Sequence, residues 1–300
     1  MKMHIGVYAN LTTGTMPIIE LARALEERGI ESLTLSEHTH TPVTTEPDSY
    51  HDEAVIAATR DSPSPFVVLA AAAAVTKRLR VGTSVCLPGQ YDPLIFAKQV
   101  ATLDRISDGR VFLGCGFGWN KAEMMNHGVD PKRRRSNLRA RIRAVRDLWE
   151  QDTAECSSEY ASFTASWSLP KPVQSPGPKL FLGAPAKPQT FEDIIELFDG
   201  WMPAARFSDD LLAEELQQLD QAIADAGRSA DDFSVTMIDS RAGLEPYPPE
   251  EFVGRCVSAD QLMKWKALGI NRAIIGVPVH SADLALPMLD HIANLSRAVS

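Results

Sequence analysis

Two histidines and a carboxylate occur together in residues 36–40, Ser-Glu-His-Thr-His, directly after an apolar segment. An imidazole gains and loses a proton near neutral pH, so His38 beside Glu37 could carry out acid–base chemistry on a bound molecule. The alternative is a polar segment that is only solvated. Because this segment follows a predicted strand, we interpret His38 as the candidate catalytic residue.

Side chains that bind metal ions or form disulfides are few and scattered. Residues 51–53, His-Asp-Glu, follow the histidine segment, but the chain has no H-E-x-x-H or comparable spacing. The sequence therefore predicts no metal site. No C-x-x-C pair occurs, and we expect free thiols in a reducing cytoplasm. The four cysteines are Cys86, Cys115, Cys156 and Cys256.

Two glycine-containing segments follow other predicted strands. Residues 114–119 read Gly-Cys-Gly-Phe-Gly-Trp, and residues 183–185 read Gly-Ala-Pro just before a predicted helix. In the first segment, glycine lets the backbone approach a flat ring or a phosphate, and Trp119 can stack on a ring. The second segment precedes a helix, and a helix N-terminus attracts anions. Either segment could equally be an ordinary turn.

A basic stretch lies in the middle of the chain, beginning with Lys-Arg-Arg-Arg at residues 132–135. Arg135, Arg139 and Arg143 share one helix face at i, i+4 spacing. The stretch could be a solvated or interface face, or it could receive the anionic tail of a cofactor. The formal net charge of −9 argues against nucleic-acid and anionic-membrane partners.

These residues need a framework, and the chain alternates predicted strands with predicted helices over its 300 residues. The strands are continuous apolar runs, as in a parallel sheet buried on both faces. Eight such units predict an α/β fold, a (β/α)₈ TIM barrel, in a single domain over residues 1–300. The predicted strands cover residues 5–9, 32–36, 79–85, 111–116, 179–183, 200–203, 233–238 and 272–277.

Two long connections interrupt the alternation. Residues 39–64 are an insertion after the second strand, and residues 153–178 form a proline-rich insertion before the fifth. Loops that follow barrel strands form the working face of this fold, so we expect the first insertion to build or cover the site.

Taken in order, several segments resemble the luciferase-like monooxygenase superfamily, and within it the F420-dependent oxidoreductase branch. The most specific match is the run over residues 102–119, T-L-D-R-I-S-D-G-R-V-F-L-G-C-G-F-G-W. The other matching segments are residues 36–38, 79–85, 91–93, 169–174, 178–184 and 199–203, together with Glu123.

The resemblance implies roles for particular residues around a ring at the mouth of the barrel. A bulge in the third strand, often with a non-prolyl cis peptide, would back the ring at Ser84 and Val85. His38 would be catalytic, with Glu37 in contact with the cofactor. His40 and Glu123 are the next candidates for the proton role if His38 does not have it. The remaining implied cofactor-binding residues are Gly116, Phe117, Gly118 and Trp119 after the fourth strand and Gly183 and Ala184 after the fifth.

The function implied by the resemblance is hydride transfer between coenzyme F420 and a small organic substrate. One alternative is an FMNH2- and O2-dependent monooxygenase, with FMN as the cofactor. Another is a protein that binds flavin or deazaflavin without catalysis, because a fold alone does not fix a function. We expect a cytoplasmic homodimer, without nucleic-acid or membrane partners.

Overall fold

Eight parallel strands close into a barrel in a computed structural model that describes residues 3–47, 53–205, 208–240, 243 and 248–299. Their order around the barrel is β1-β10-β9-β8-β7-β4-β3-β2, and β2 pairs with β1. The predicted (β/α)₈ barrel is therefore confirmed. The strands are β1 His4–Ala9, β2 Ser32–Leu35, β3 Arg80–Cys86, β4 Val111–Cys115, β7 Lys179–Leu182, β8 Gly200–Trp201, β9 Ser234–Asp239 and β10 Arg272–Val277.

Helices between the strands cover the outside of the barrel. In the fourth helix, Pro93 occupies the first turn and the Asp92 carboxylate accepts hydrogen bonds from the N–H groups of Leu94 and Ile95, which fixes the start. The helices are α1 Ile18–Glu27, α2 Glu53–Arg60, α3 Pro65–Ala74, α4 Pro93–Ile106, α5 Lys121–Asn126, α6 Arg134–Glu150, α7 Pro188–Leu197, α8 Asp209–Asp225, α9 Pro249–Arg255, α10 Ala259–Ala267 and α11 Ala282–Val299.

The interior of the barrel is filled by large side chains. Tyr8, Phe112, Phe181, Met202 and Ile274 form one buried cluster there. A second and larger apolar layer lies between the strands and the helices. Because each strand is buried on both faces, its sequence is a continuous apolar run rather than an alternating one.

Both predicted insertions are present, and each contains an element that the sequence did not reveal. Helix α2 lies in the first insertion, whose residues 48–52 fall outside the described residues. The second, predicted as a loop, contains an antiparallel ribbon of β5 (Ala154–Ser157) and β6 (Ser162–Ser166). Its C-terminal part is anchored by buried Asp104, which accepts hydrogen bonds from Val173 N and Gln174 N at 2.8 and 2.9 Å.

Within the described part of the chain, every helix is too short or too polar to cross a lipid bilayer.

Candidate active site

The carboxyl ends of the barrel strands surround a cavity of about 620 Å³. All of the predicted site residues line it, although they come from four separate parts of the sequence. Their roles toward a cofactor remain predictions. They are Glu37, His38, Ser84, Val85, Gly116, Phe117, Gly118, Trp119, Gly183 and Ala184.

His38 is held between a carboxylate and an indole. Its Nδ1 lies 2.8 Å from Glu123 Oε2, and Trp119 Nε1 donates to its Nε2 at 3.3 Å. An indole N–H is only a donor, so His38 Nε2 accepts and the neutral ring carries its proton on Nδ1, toward Glu123. The His38 side chain is 9% exposed and that of Glu123 is 1% exposed. The two side chains are almost excluded from solvent, and the lone pair of His38 Nε2 is the defined position at which the ring can exchange a proton with a bound molecule.

Glu123 owes its position to the start of a short helix. Asn120 accepts hydrogen bonds from the N–H groups of Ala122 and Glu123, which caps α5. Glu123 therefore falls in the first turn, where its other oxygen, Oε1, accepts from Thr39 N at 3.0 Å. Glu123 thereby links the loop after β4 to Thr39, which follows β2. Glu123 is among the residues that carry the family resemblance and is an alternative to His38 for the proton role, but its pairing with His38, 85 residues away in the sequence, was not predicted.

Glu37 is buried, and both of its carboxylate oxygens have protein donors. Leu87 N donates to Oε2 at 2.8 Å, and the Tyr91 hydroxyl donates to Oε1. Burial raises the pKa of Glu37, while these two hydrogen bonds act in the opposite direction. Glu37 thus ties the end of β2 to the connection between β3 and α4, and its contact with a cofactor remains a prediction.

The third strand carries the predicted irregularity. The register between β3 and β4 shifts between Thr83 and Cys86, and the peptide bond from Ser84 to Val85 is cis. Both features were expected at these residues. The Ser84 hydroxyl lies 2.8 Å from Thr34 Oγ1, which joins the bulge to β2.

The glycines around the cavity serve a packing requirement. An added Cβ at Gly116 would lie 2.6 Å from Val85 Cγ2, and one at Gly183 would lie 2.6 Å from Val85 Cγ1. Val85 therefore fits between the ends of β4 and β7 only because both positions lack a side chain. Gly118 has φ +80°, a left-handed conformation that favours glycine.

The structure distinguishes between the two interpretations of the basic stretch. Arg135 Nε lies 2.8 Å from Asp193 Oδ2, and Arg139 and Arg143 both pair with Glu196. This arginine face of α6 thus pairs with α7 as an interface between helices.

Arg134, from the same stretch, instead lines the cavity. Its Nη1 donates to Gly118 O at 3.2 Å, and it has no carboxylate partner among the described residues. From the sequence alone Arg134 cannot be distinguished from the arginines beside it, because all of them lie in the same basic stretch.

Comparisons with known proteins agree with this architecture. The family model for luciferase-like monooxygenases matches residues 4–239. An uncharacterized protein of Mycobacterium tuberculosis is 36% identical over 298 residues, covering 97% of this chain and 98% of its own. An F420-dependent glucose-6-phosphate dehydrogenase of Mycolicibacterium gilvum is 28% identical over 237 residues, covering 77% of this chain and 66% of its own.

Two solved structures share the fold at low sequence identity. A monooxygenase from Streptomyces bottropensis has a TM-score of 0.77 at 20% identity, covering 98% of this chain and 97% of its own. An F420-dependent secondary alcohol dehydrogenase, solved with an F420-acetone adduct, has a TM-score of 0.76 at 21% identity and covers 100% of both chains. With the family model matched over most of its length, this chain belongs to the luciferase-like monooxygenase family.

Proposed function

We propose that this protein is an oxidoreductase that transfers a hydride between coenzyme F420 and a small organic substrate. The observation that carries the proposal is the His38–Glu123 pair on the wall of the cavity at the carboxyl ends of the strands. The F420-dependent glucose-6-phosphate dehydrogenase that matches 77% of this chain supports F420 as the proposed cofactor.

The cavity fits a ring with an anionic tail. Val85, Gly116 and Gly183 pack into one wall, and Phe117 and Trp119 add aromatic surface. Arg134, without a carboxylate partner among the described residues, offers guanidinium N–H groups to an anionic group such as a phosphate. When bound, the deazaflavin would supply the hydride chemistry.

His38 would move the proton that accompanies the reaction. Its Nε2 accepts from Trp119, so a substrate group that replaces the indole N–H would meet a ring nitrogen able to accept a proton. Glu123 keeps the opposite nitrogen protonated and stabilises the imidazolium once Nε2 has taken up a proton. The low exposure of both side chains strengthens this interaction.

Titration of the purified protein with F420 and with FMN, followed by fluorescence, tests the choice of cofactor. We expect tighter binding of F420, and binding that weakens as salt is raised, because Arg134 contributes charge. Tighter binding of FMN would overturn the proposal in favour of the flavin-dependent monooxygenase. Binding of F420 without oxidation of its reduced form by any of a panel of carbonyl compounds would favour a protein that only binds the cofactor.

A further inference from the structure

Beside the His38–Glu123 pair, two histidines and a carboxylate converge on the hydroxyl of Thr39. Thr39 Oγ1 lies 2.9 Å from His40 Nδ1 and 2.6 Å from His127 Nε2. It is also 3.5 Å from Glu123 Oε1. One ligand atom from each of His40, Glu123 and His127 lies within 4.8 Å of the others.

We infer that His40, Glu123 and His127 form a binding site for a transition-metal ion of the Zn²⁺ type. Two imidazoles and a carboxylate are a donor set typical of zinc sites that keep an open position. A tetrahedral centre with bonds of about 2.1 Å separates its ligand atoms by roughly 3.4 Å. Because the ligand atoms lie within 4.8 Å of one another, the three side chains need to approach by at most about 1.4 Å, and Thr39 Oγ1 would become a ligand or rotate away.

Neighbouring side chains already orient these ligands. Asn126 Nδ2 lies 2.8 Å from His40 Nε2, and a turn of its amide would offer Oδ1 to an Nε2–H, leaving Nδ1 for the metal. The Oε2 atom of Glu123 is held by His38, so Oε1 faces the site. Hydrogen-bonded outer partners of this kind are a regular feature of metal sites.

The three ligands come from two different segments, so a bound metal ion would connect them. His40 belongs to the insertion after β2, whereas Glu123 and His127 belong to α5 and the residue that ends it. A bound ion would therefore tie the insertion to α5 at the edge of the cavity. The sequence predicts no metal site, because His40 is more than 80 residues from Glu123 and His127, and the four-residue spacing of Glu123 and His127 matches no metal-binding motif.

The test uses Co²⁺ as the probe on the full chain after removal of metals with a chelator. We expect one equivalent to bind, with the visible absorption of tetrahedral Co²⁺, and to be displaced by equimolar Zn²⁺. We also expect the melting temperature to rise by several degrees with saturating Zn²⁺.

Matched variants locate the ion. His40→Ala and His127→Ala should each weaken Co²⁺ binding at least tenfold, whereas His280→Ala, an exposed histidine outside the cluster, should bind Co²⁺ like the parent. His127→Gln provides a second variant if the alanine variant folds poorly. Absence of one-to-one binding, or binding unchanged in both ligand variants, would overturn the site. None of these readouts depends on the proposed redox activity.

Discussion

Replacing Glu123 by glutamine tests the proposal that His38, oriented by Glu123, moves the proton of the reaction. Glu123 Oε2 accepts from His38 Nδ1–H, and its Oε1 accepts from Thr39 N–H and, at 3.5 Å, from the Thr39 hydroxyl. A glutamine has only one oxygen. Because the backbone N–H of Thr39 cannot become an acceptor, the amide oxygen faces Thr39 and the amide NH2 faces His38.

His38 then has to accept on Nδ1 and carry its proton on Nε2, where it meets the N–H of Trp119. The variant thus selects the wrong tautomer and also removes the charge that stabilises the imidazolium. A hydrogen bond to a charged group contributes roughly 1.5–3 kcal/mol, which corresponds to about 10- to 150-fold in rate. With the tautomer change, we expect turnover to fall about a hundredfold or more.

The assay is steady-state oxidation of reduced F420 with an identified substrate, across pH and in buffer containing a chelator. The chelator separates the loss of the proton pathway from the loss of a metal ligand. We expect kcat to fall while cofactor affinity stays within a few-fold. The matched control is Glu192→Gln, which removes an exposed carboxylate from the α6–α7 interface. Turnover of the Glu123 variant equal to that of the control would refute the reasoning.

Three further changes probe other parts of the site. His38→Ala should lower turnover about a hundredfold or more and leave cofactor affinity within a few-fold, and unchanged turnover would remove His38 from the mechanism. Arg134→Gln should weaken cofactor binding about tenfold and reduce its salt dependence, while Arg133→Gln should change neither in a fluorescence titration. Gly116→Ala should destabilise the fold by about 1–3 kcal/mol in urea unfolding because of the contact with Val85, and Val85→Ala in the same chain should recover part of the loss.

The barrel could be predicted from the sequence because its strands, buried on both faces, are continuous apolar runs that alternate with predicted helices. The β5–β6 ribbon was missed because its strands are short and partly exposed. They therefore show no alternation of apolar and polar residues that would distinguish them from the proline-rich loop around them. Helix α5, six residues long, is too short for a periodic pattern. The pairing of His38 with Glu123 was missed because the strand order β2-β3-β4, rather than spacing along the chain, brings the two side chains together.

The basic stretch shows the same limit at the level of single residues. Neighbouring arginines on one helix have the same sequence signal, yet Arg135 pairs with Asp193 while Arg134 lines the cavity. The difference arises from where α7 packs against α6, which the pattern of arginines does not encode. An arginine that is already paired with a carboxylate binds an anionic ligand less strongly than one without such a partner. The ion pairs of each arginine must therefore be known before that arginine can be assigned to ligand binding.

The glycines after β4 and β7 were predicted to let the backbone approach a ring or a phosphate. Gly116 and Gly183 are required by the two methyl groups of Val85, whichever molecule occupies the cavity. The glycine pattern therefore reports the bulge in β3 and not the identity of the cofactor. Discrimination between F420 and FMN must instead come from side chains that face the cavity, and among these Arg134 carries the charge that an anionic tail would meet.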